Sequence, residues 1–229
     1  MQETSTSSYT DVLNTADAWA NKYIEYCTAQ GIVSGVGGNR FAPASSVTGT
    51  QLAKMLLVSL GYNAVTEGYQ DSDAWTVNVN TDAVNAGLYK ELEDVDMSAA
   101  LTREQAAQMA FNAMKATLVE YEDKGGDIII GDITINNGAT KATPVTSKVK
   151  AESTNISAEK TTDGLWTVEF AEKYCKDLKV TANDTDAFER PASTWKYKNT
   201  EIGTYADDAD ASYTTEVKMG TIYSDLGLS

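Results

Sequence analysis

A chain of 229 residues with 42% hydrophobic content is long enough for one large domain or two modest ones, and its formal charge of −15 repels polyanions, which argues against nonspecific binding to nucleic acid or to an anionic membrane surface. Histidine is absent, which removes a Ser-His-Asp triad, a Cys-His pair and the commonest transition-metal ligand. The only arginines are Arg40, Arg103 and Arg190, so bidentate recognition of a carboxylate or phosphate has few possible providers.

No stretch approaches the roughly 18 consecutive apolar residues needed to span a bilayer, and the N-terminus Met-Gln-Glu-Thr-Ser-Thr-Ser-Ser has no basic region followed by an apolar core. The chain is therefore expected to be cytoplasmic or to have been exported with its signal removed, without membrane insertion. Two cysteines, Cys27 and Cys175, leave the redox compartment open. Cys27 is read as a free thiol packed like a small hydrophobe, with a disulfide as the alternative.

Taken in chain order, Trp19, Tyr23, Ile24 and Cys27 are spaced as one helical face, and Gly31 stands where a helix ends on a left-handed residue. A turn follows at Gly35 to Gly38. Thr48 with Gln51 reads as a capping box opening a second helix, whose expected buried stripe is Leu52, Met55, Leu56, Ser59 and Leu60. The plan then recurs. Val77, Val84 and Leu88 are expected on the face of another helix, Thr102 with Gln105 as the next cap, and Ala106, Met109, Ala110 and Ala113 as a stripe of small residues that allows close helix approach. Trp19 and Trp75 are separated by nearly the same interval as Thr48 and Thr102, so residues 9–62 and 69–118 read as two copies of one helix-loop-helix unit that buries its apolar face by stacking.

Beyond Leu118 the character changes. Asp127-Ile-Ile-Ile130 and Asp132-Ile-Thr-Ile135, set off by glycines, read as antiparallel strands joined by tight turns. Residues 139–163, rich in Thr, Ser, Lys and Ala, are expected to be an extended connector. Residues 166–178 fit both a strand and a helix and are assigned a short helix; Trp195–Tyr197, Ile202–Tyr205, Tyr213–Val217 and Thr221–Tyr223 are assigned strands. The acidic runs 183–186 and 207–210 lack the spacing of a calcium loop and read as solvated turns. The expected fold class is α+β, with a helical region 1–120 followed by a β-rich region 121–229.

The order Tyr-Thr-Asp-Val, Trp19, Gly31-Ile-Val-Ser-Gly35, Phe41-Ala-Pro43, Val47-Thr48, and then Leu101-Thr102-Arg103-Glu104 in the second copy, resembles the S-layer homology (SLH) domain of bacterial surface proteins. The resemblance covers residues 9 to about 120; the first copy matches along its length and the second chiefly at its Thr-Arg-Glu end. In that family three repeats usually assemble into a pseudo-threefold helical spindle that binds secondary cell-wall polysaccharide, often pyruvylated. The resemblance thus implies an extracellular, wall- or S-layer-associated protein, with two repeats like the second and third of a set and a further repeat expected upstream. The later half is similar to the segment that follows such repeats in large surface proteins of anaerobic Gram-positive bacteria, and the terminal Leu-Gly-Leu-Ser reads as a cut in a longer polypeptide.

Carried over residue by residue, the family's Thr-Arg-Ala-Glu motif, whose arginine contacts the polymer, falls on Thr102, Arg103, Glu104 and Gln105, with the acid one place early. The first copy has Thr48-Gly49-Thr50-Gln51 there, without arginine or carboxylate. A guanidinium offers a planar fork to a sugar-borne carboxylate, and the first turn of a helix favours an anion, so Arg103 leads the candidate ligand-binding set. Trp75 and Trp19 are candidates for stacking on a pyranose, against a reading as core or staple residues. Asp71 and Asp11 are candidates for sugar hydroxyls, against a reading as turn braces. No cofactor, metal or catalytic residue is assigned. Non-catalytic anchoring is the leading function; lattice assembly through self-association is the alternative, and a glycoside hydrolase ranks last because no carboxylate spacing singles out an acid and a base.

Overall fold

The computed structural model describes residues 6–13, 15–70, 73–122, 126–130, 133–138, 140–149, 159–208 and 217–228. Helices and antiparallel strands are both present, so the fold is mixed α+β. By contacts the chain forms two compact units, Met1–Asn85 with Asp96–Ala106, and Ala86–Val95 with Ala107–Ser229. These units cut the chain differently from the change of composition near residue 120.

In the first unit a 3-10 turn (Ala18–Ala20) leads into α1 (Asn21–Ala29). Gly31 at φ +72° closes it, and Ile32 N donates back to the carbonyl of Cys27 at 2.9 Å. The expected face is corrected here: Ile24 is buried, but Trp19 is 71% and Tyr23 46% exposed, their rings meeting edge-on at 6.4 Å. Cys27 and Cys175 are both free and half-buried.

Helix α2 (Gly49–Leu60) starts with the expected capping box: Thr48 Oγ1 accepts from Gln51 N at 3.3 Å, and Gln51 Oε1 accepts from Thr48 N at 3.0 Å. It ends at Gly61, φ +112°, with Tyr62 N reaching the Leu57 carbonyl. The buried stripe is Gly49, Thr50, Ala53, Leu57 and Leu60, so of the expected set only Leu60 holds. The stripe is displaced because α2 packs its small side, Gly49 to Ala53, on its neighbours, and several apolar residues shared the helical period.

Helix α3 (Trp75–Asn85) buries Val79 and Ala83, whereas Val77 and Val84 are each 63% exposed, which corrects their assignment to the inner face. Tyr69, fully buried just before it, donates its hydroxyl to Asp82 Oδ2 at 2.7 Å. Helix α4 (Arg103–Lys115) opens on the second expected cap, Thr102 Oγ1 accepting from Gln105 N at 3.2 Å and Gln105 Oε1 from Thr102 N at 2.9 Å. The boundary between the units falls within α4.

In the second unit Leu88, Leu92, Met109, Ala113, Ala116 and Leu118 are buried. Buried Asn112 donates through its amide to the carbonyls of Leu88 and Lys90, which ties the 88–90 turn to α4. Four antiparallel groupings follow: β1 (Val119–Glu120) with β4 (Thr143–Pro144), β2 (Gly126–Ile130) with β3 (Ile133–Asn137), β5 (Thr146–Ser147) with β6 (Trp166–Thr167), and the sheet β7 (Leu178–Thr185), β8 (Pro191–Tyr197), β9 (Thr200–Ala206). The β2–β3 pair matches its sequence reading. The expected connector 139–163 carries β4 and β5. Residues 166–178 hold both readings in succession, β6 and then helix α5 (Phe170–Tyr174).

Strands β8 and β9 meet in a two-residue turn with Lys198 and Asn199 at φ +48° and +66°, the geometry whose twist suits a hairpin. Thr221–Tyr223, expected as a strand, lies in helix α6 (Met219–Asp225), which closes on Gly227 at φ +66° with Leu228 N bonded to the Tyr223 carbonyl. Three β-prone residues are too short a run to show a period, and the glycine two residues past the helix decides. The reading of 213–216 lies outside the described residues.

Candidate functional site

One carboxylate fastens the segment before α1 to the loop before α2. Asp11 Oδ1 accepts from Phe41 N and Oδ2 from Ala42 N, both at 2.8 Å, and Arg40 Nε stands 3.6 Å from Oδ2. The flanking residues repeat this attachment: Thr10 N donates to the Asn39 carbonyl at 2.9 Å, and the rings of Tyr9 and Phe41 are 5.2 Å apart. Gly35 is required beneath Tyr9, since a Cβ there would sit 2.6 Å from the Tyr9 ring and 2.6 Å from the Arg40 carbonyl oxygen. The Tyr-Thr-Asp segment and the Phe-Ala-Pro segment, far apart in sequence, are therefore one braced loop. The amides of Phe41 and Ala42 hold the Asp11 carboxyl below the usual carboxylate range, helped by Arg40.

That loop feeds α2, and the start of α2 is fastened to the segment that precedes α4. Thr48 bridges Ala100, Leu101 N donates to the Val47 carbonyl at 3.0 Å, and Thr50 N donates to the Met97 carbonyl at 2.9 Å. Thr50 Oγ1 lies 3.1 Å from Asn80 Oδ1, on α3. A single short bridge thus holds two capped helix starts, at Thr48 and at Thr102.

On this frame Thr102 is the cap of α4 and spends its hydroxyl on Gln105 N. Arg103 and Glu104 are its first two residues, and both are exposed. Among the described residues no ion pair or hydrogen bond engages the Arg103 guanidinium. Trp75, half-buried, opens α3, and no ring or hydrogen-bond contact joins it to Arg103 among the described residues. Trp19 projects from the 3-10 turn. Asp11 is committed to its loop, and Asp71 lies outside the described residues. Thr102, Arg103 and Glu104 are brought together by the helix itself; Asp11 and Trp19 belong to the first loop and helix. Sequence reasoning missed Met97, Thr50 and Asn80, because nothing in residue type signals a backbone bridge between distant loops.

The S-layer homology domain model matches residues 8–53, from the Tyr-Thr-Asp segment through the first turn of α2. Residues 8–53 form an S-layer homology domain. Its boundaries enclose the Asp11 brace and the Thr48 capping box. S-layer homology domains in general anchor proteins to cell-wall polysaccharide, and their presence implies association with the cell surface or S-layer. No helix among the described residues is long and apolar enough to cross a membrane. Neither the curated proteins nor the solved structures contain a match to the chain.

Proposed function

We propose that this protein is a non-catalytic cell-envelope anchoring module whose two S-layer homology repeats, about 9–62 and 69–118, hold secondary cell-wall polysaccharide, with Arg103 gripping an acidic substituent such as a pyruvyl ketal. The observation that carries the reading is the position of Arg103. A cation in the first turn opposes the helix dipole by a few tenths of a kcal/mol unless an anion shares the site, and the amides there point at the same space. Its exposure leaves the fork open to a ligand carboxylate. Thr102 and Glu104 flank it, Trp75 and Trp19 are stacking surfaces, Asp71 is a hydroxyl partner, and Asp11 serves by holding the first loop. The matched caps at Thr48 and Thr102 support two copies of one repeat. The net charge requires that the anionic polymer be held by such short-range contacts rather than by long-range attraction.

Retention of Arg103→Ala on purified cell walls tests this. A loss of about tenfold or more is expected for removing a charge-assisted contact, and retention equal to the parent chain removes the site.

A second reading, assembly of a surface lattice through the repeats, is favoured by the exposed aromatics of the first helical segment, Trp19, Tyr23 and Tyr26. Light scattering across concentration separates the two: self-association without wall polymer supports the lattice.

A further inference from the structure

The second unit contains an open cleft of about 670 Å³, within the 300–1,000 Å³ range typical of small-ligand sites. Its floor is aromatic. Phe111 from α4 and Trp195 from β8 meet at 5.6 Å with their planes 49° apart, and Tyr205 and Ile202 from β9 continue the surface, each more than half exposed. Gly203 makes this possible: it pairs with Trp195 across the sheet, and a Cβ on it would lie 2.8 Å from the Tyr205 hydroxyl and 2.9 Å from the ring. The tyrosine ring folds over the bare glycine.

The rim is charged but balanced. Lys90, Lys115 and Arg190 supply donors; Glu91, Asp207 and Asp208 supply acceptors. Several are already fixed by the fold: Lys115 Nζ rests 4.4 Å from the Phe111 ring centre, Ser193 Oγ donates to Asp207 Oδ1 at 2.6 Å, and Arg190 pairs with Asp186 at 2.6 Å.

Three ligand chemistries can be weighed against this lining. A polyanion meets three carboxylates on a chain of charge −15. A fatty ligand strips water from six charged groups and satisfies none of them. A pyranose presents one apolar C–H face to an aromatic floor and a ring of hydroxyls that both donate and accept, which suits the rim on every side. We infer that this cleft is a binding site for a neutral saccharide, built by the second unit alone and separate from the Arg103 site.

The test is titration of the full chain with neutral hexasaccharides of β-linked glucose, α-linked glucose and β-linked N-acetylglucosamine, followed by calorimetry and tryptophan fluorescence. Saturable binding to at least one, with Kd of about 0.1–1 mM, is expected. Tyr205→Ala, on the exposed edge of β9, weakens it about tenfold, and Trp195→Ala does so at least as strongly. Because Trp195 sits within the sheet, Ile202→Ala on the exposed face of β9 serves as the variant that leaves the core intact. Arg103→Ala leaves this binding unchanged, whatever it does to wall retention, so the two sites fail separately. The inference is overturned by no saturable response at about 10 mM of any of the three. It is equally overturned by undiminished binding in Tyr205→Ala and Ile202→Ala, by loss of the signal in Arg103→Ala, or by a sulfated polysaccharide or dodecanoate binding in place of the neutral sugars.

Discussion

Asp11 holds Ala42 in the left-handed region of backbone space: Ala42 has φ +59°, and its amide is bonded to Asp11 Oδ2 at 2.8 Å, just before Pro43. A non-glycine residue in that conformation costs roughly 1–2 kcal/mol, and the carboxylate is the group that fixes it. The Tyr-Thr-Asp and Phe-Ala-Pro segments are thus joined by one electrostatic clamp on a strained turn.

The clamp is acid-sensitive. Hydrogen bonds from Phe41 and then Ala42, with Arg40 nearby, lower the Asp11 pKa below its ordinary 3.8, so its contribution is present above that pH and is lost as pH falls through the depressed value. In a carboxyl-detected NMR titration Asp11 is expected to protonate below 3.8, with the Phe41 and Ala42 amide shifts following the same midpoint. Amide shifts that stay flat through that transition would contradict the clamp. Asp11→Ala lowers the melting temperature and Asp11→Asn, which keeps one acceptor, lowers it less.

Gly49 gives opposite predictions from local and tertiary physics. Alanine near a helix start is favoured over glycine by propensity, by up to about 1 kcal/mol. Yet a Cβ on Gly49 would lie 2.5 Å from Met97 Sδ and 2.9 Å from Met97 Cα, and the backbone atom cannot swing aside. Gly49→Ala is therefore expected to destabilise the chain by about 1–3 kcal/mol in urea unfolding. A midpoint shifted upward would show that the 47–50 and 97–101 segments are not fastened as described.

Tyr69 makes the first unit sensitive to alkali. Burial first, and then the bond to Asp82, push its hydroxyl far above the ordinary 10.0. The native state keeps a proton that the unfolded chain releases, so stability is complete below pH 10.0 and declines as pH rises beyond it. Absorbance at alkaline pH should show Tyr69 ionising only with unfolding, and Tyr69→Phe should shrink that late step, in which Tyr62, raised by burial and by Asp82, also takes part, while costing about 1.5–3 kcal/mol for the lost bond to a charged acceptor. A Tyr69 that ionises while the chain is still folded defeats this account.

The two caps separate stability from binding. Thr48→Ala and Thr102→Ala are each expected to cost about 1 kcal/mol, and the corresponding serine variants only a small part of that. Arg103→Ala, at an exposed position, is expected to leave the melting temperature within about 1 °C while reducing wall retention, since surface changes stay within ±0.5 kcal/mol. If Arg103→Ala instead lowers stability as much as Thr102→Ala does, the arginine is structural.

Some of this molecule is written locally and could be read residue by residue. The capping boxes at Thr48 and Thr102, the glycine ending α1, the β2–β3 pair and the mixed α+β class all depend on interactions spanning a few positions, and each was legible. So was the first S-layer homology pattern, because its motifs are the residues of one braced loop. Which face of a helix lies inward was not legible: Val77 and Val84 share the apolar character of Val79, and only the packing of α3 on its neighbours selects Val79. Strand β7 escaped notice because Leu-Lys-Val-Thr-Ala-Asn-Asp-Thr offers little apolar alternation, and its pairing with β8, bulge included, supplies the bonds that its own side chains do not announce. The cleft on the second unit lies furthest from the sequence, since Phe111, Trp195 and Tyr205 have no spacing in common and acquire a shared surface only when a helix and two strands are laid together. Capping, turns and charge act over a few residues of chain and so leave their mark in the order of the letters; burial and shape act through space, where that order sets no distance.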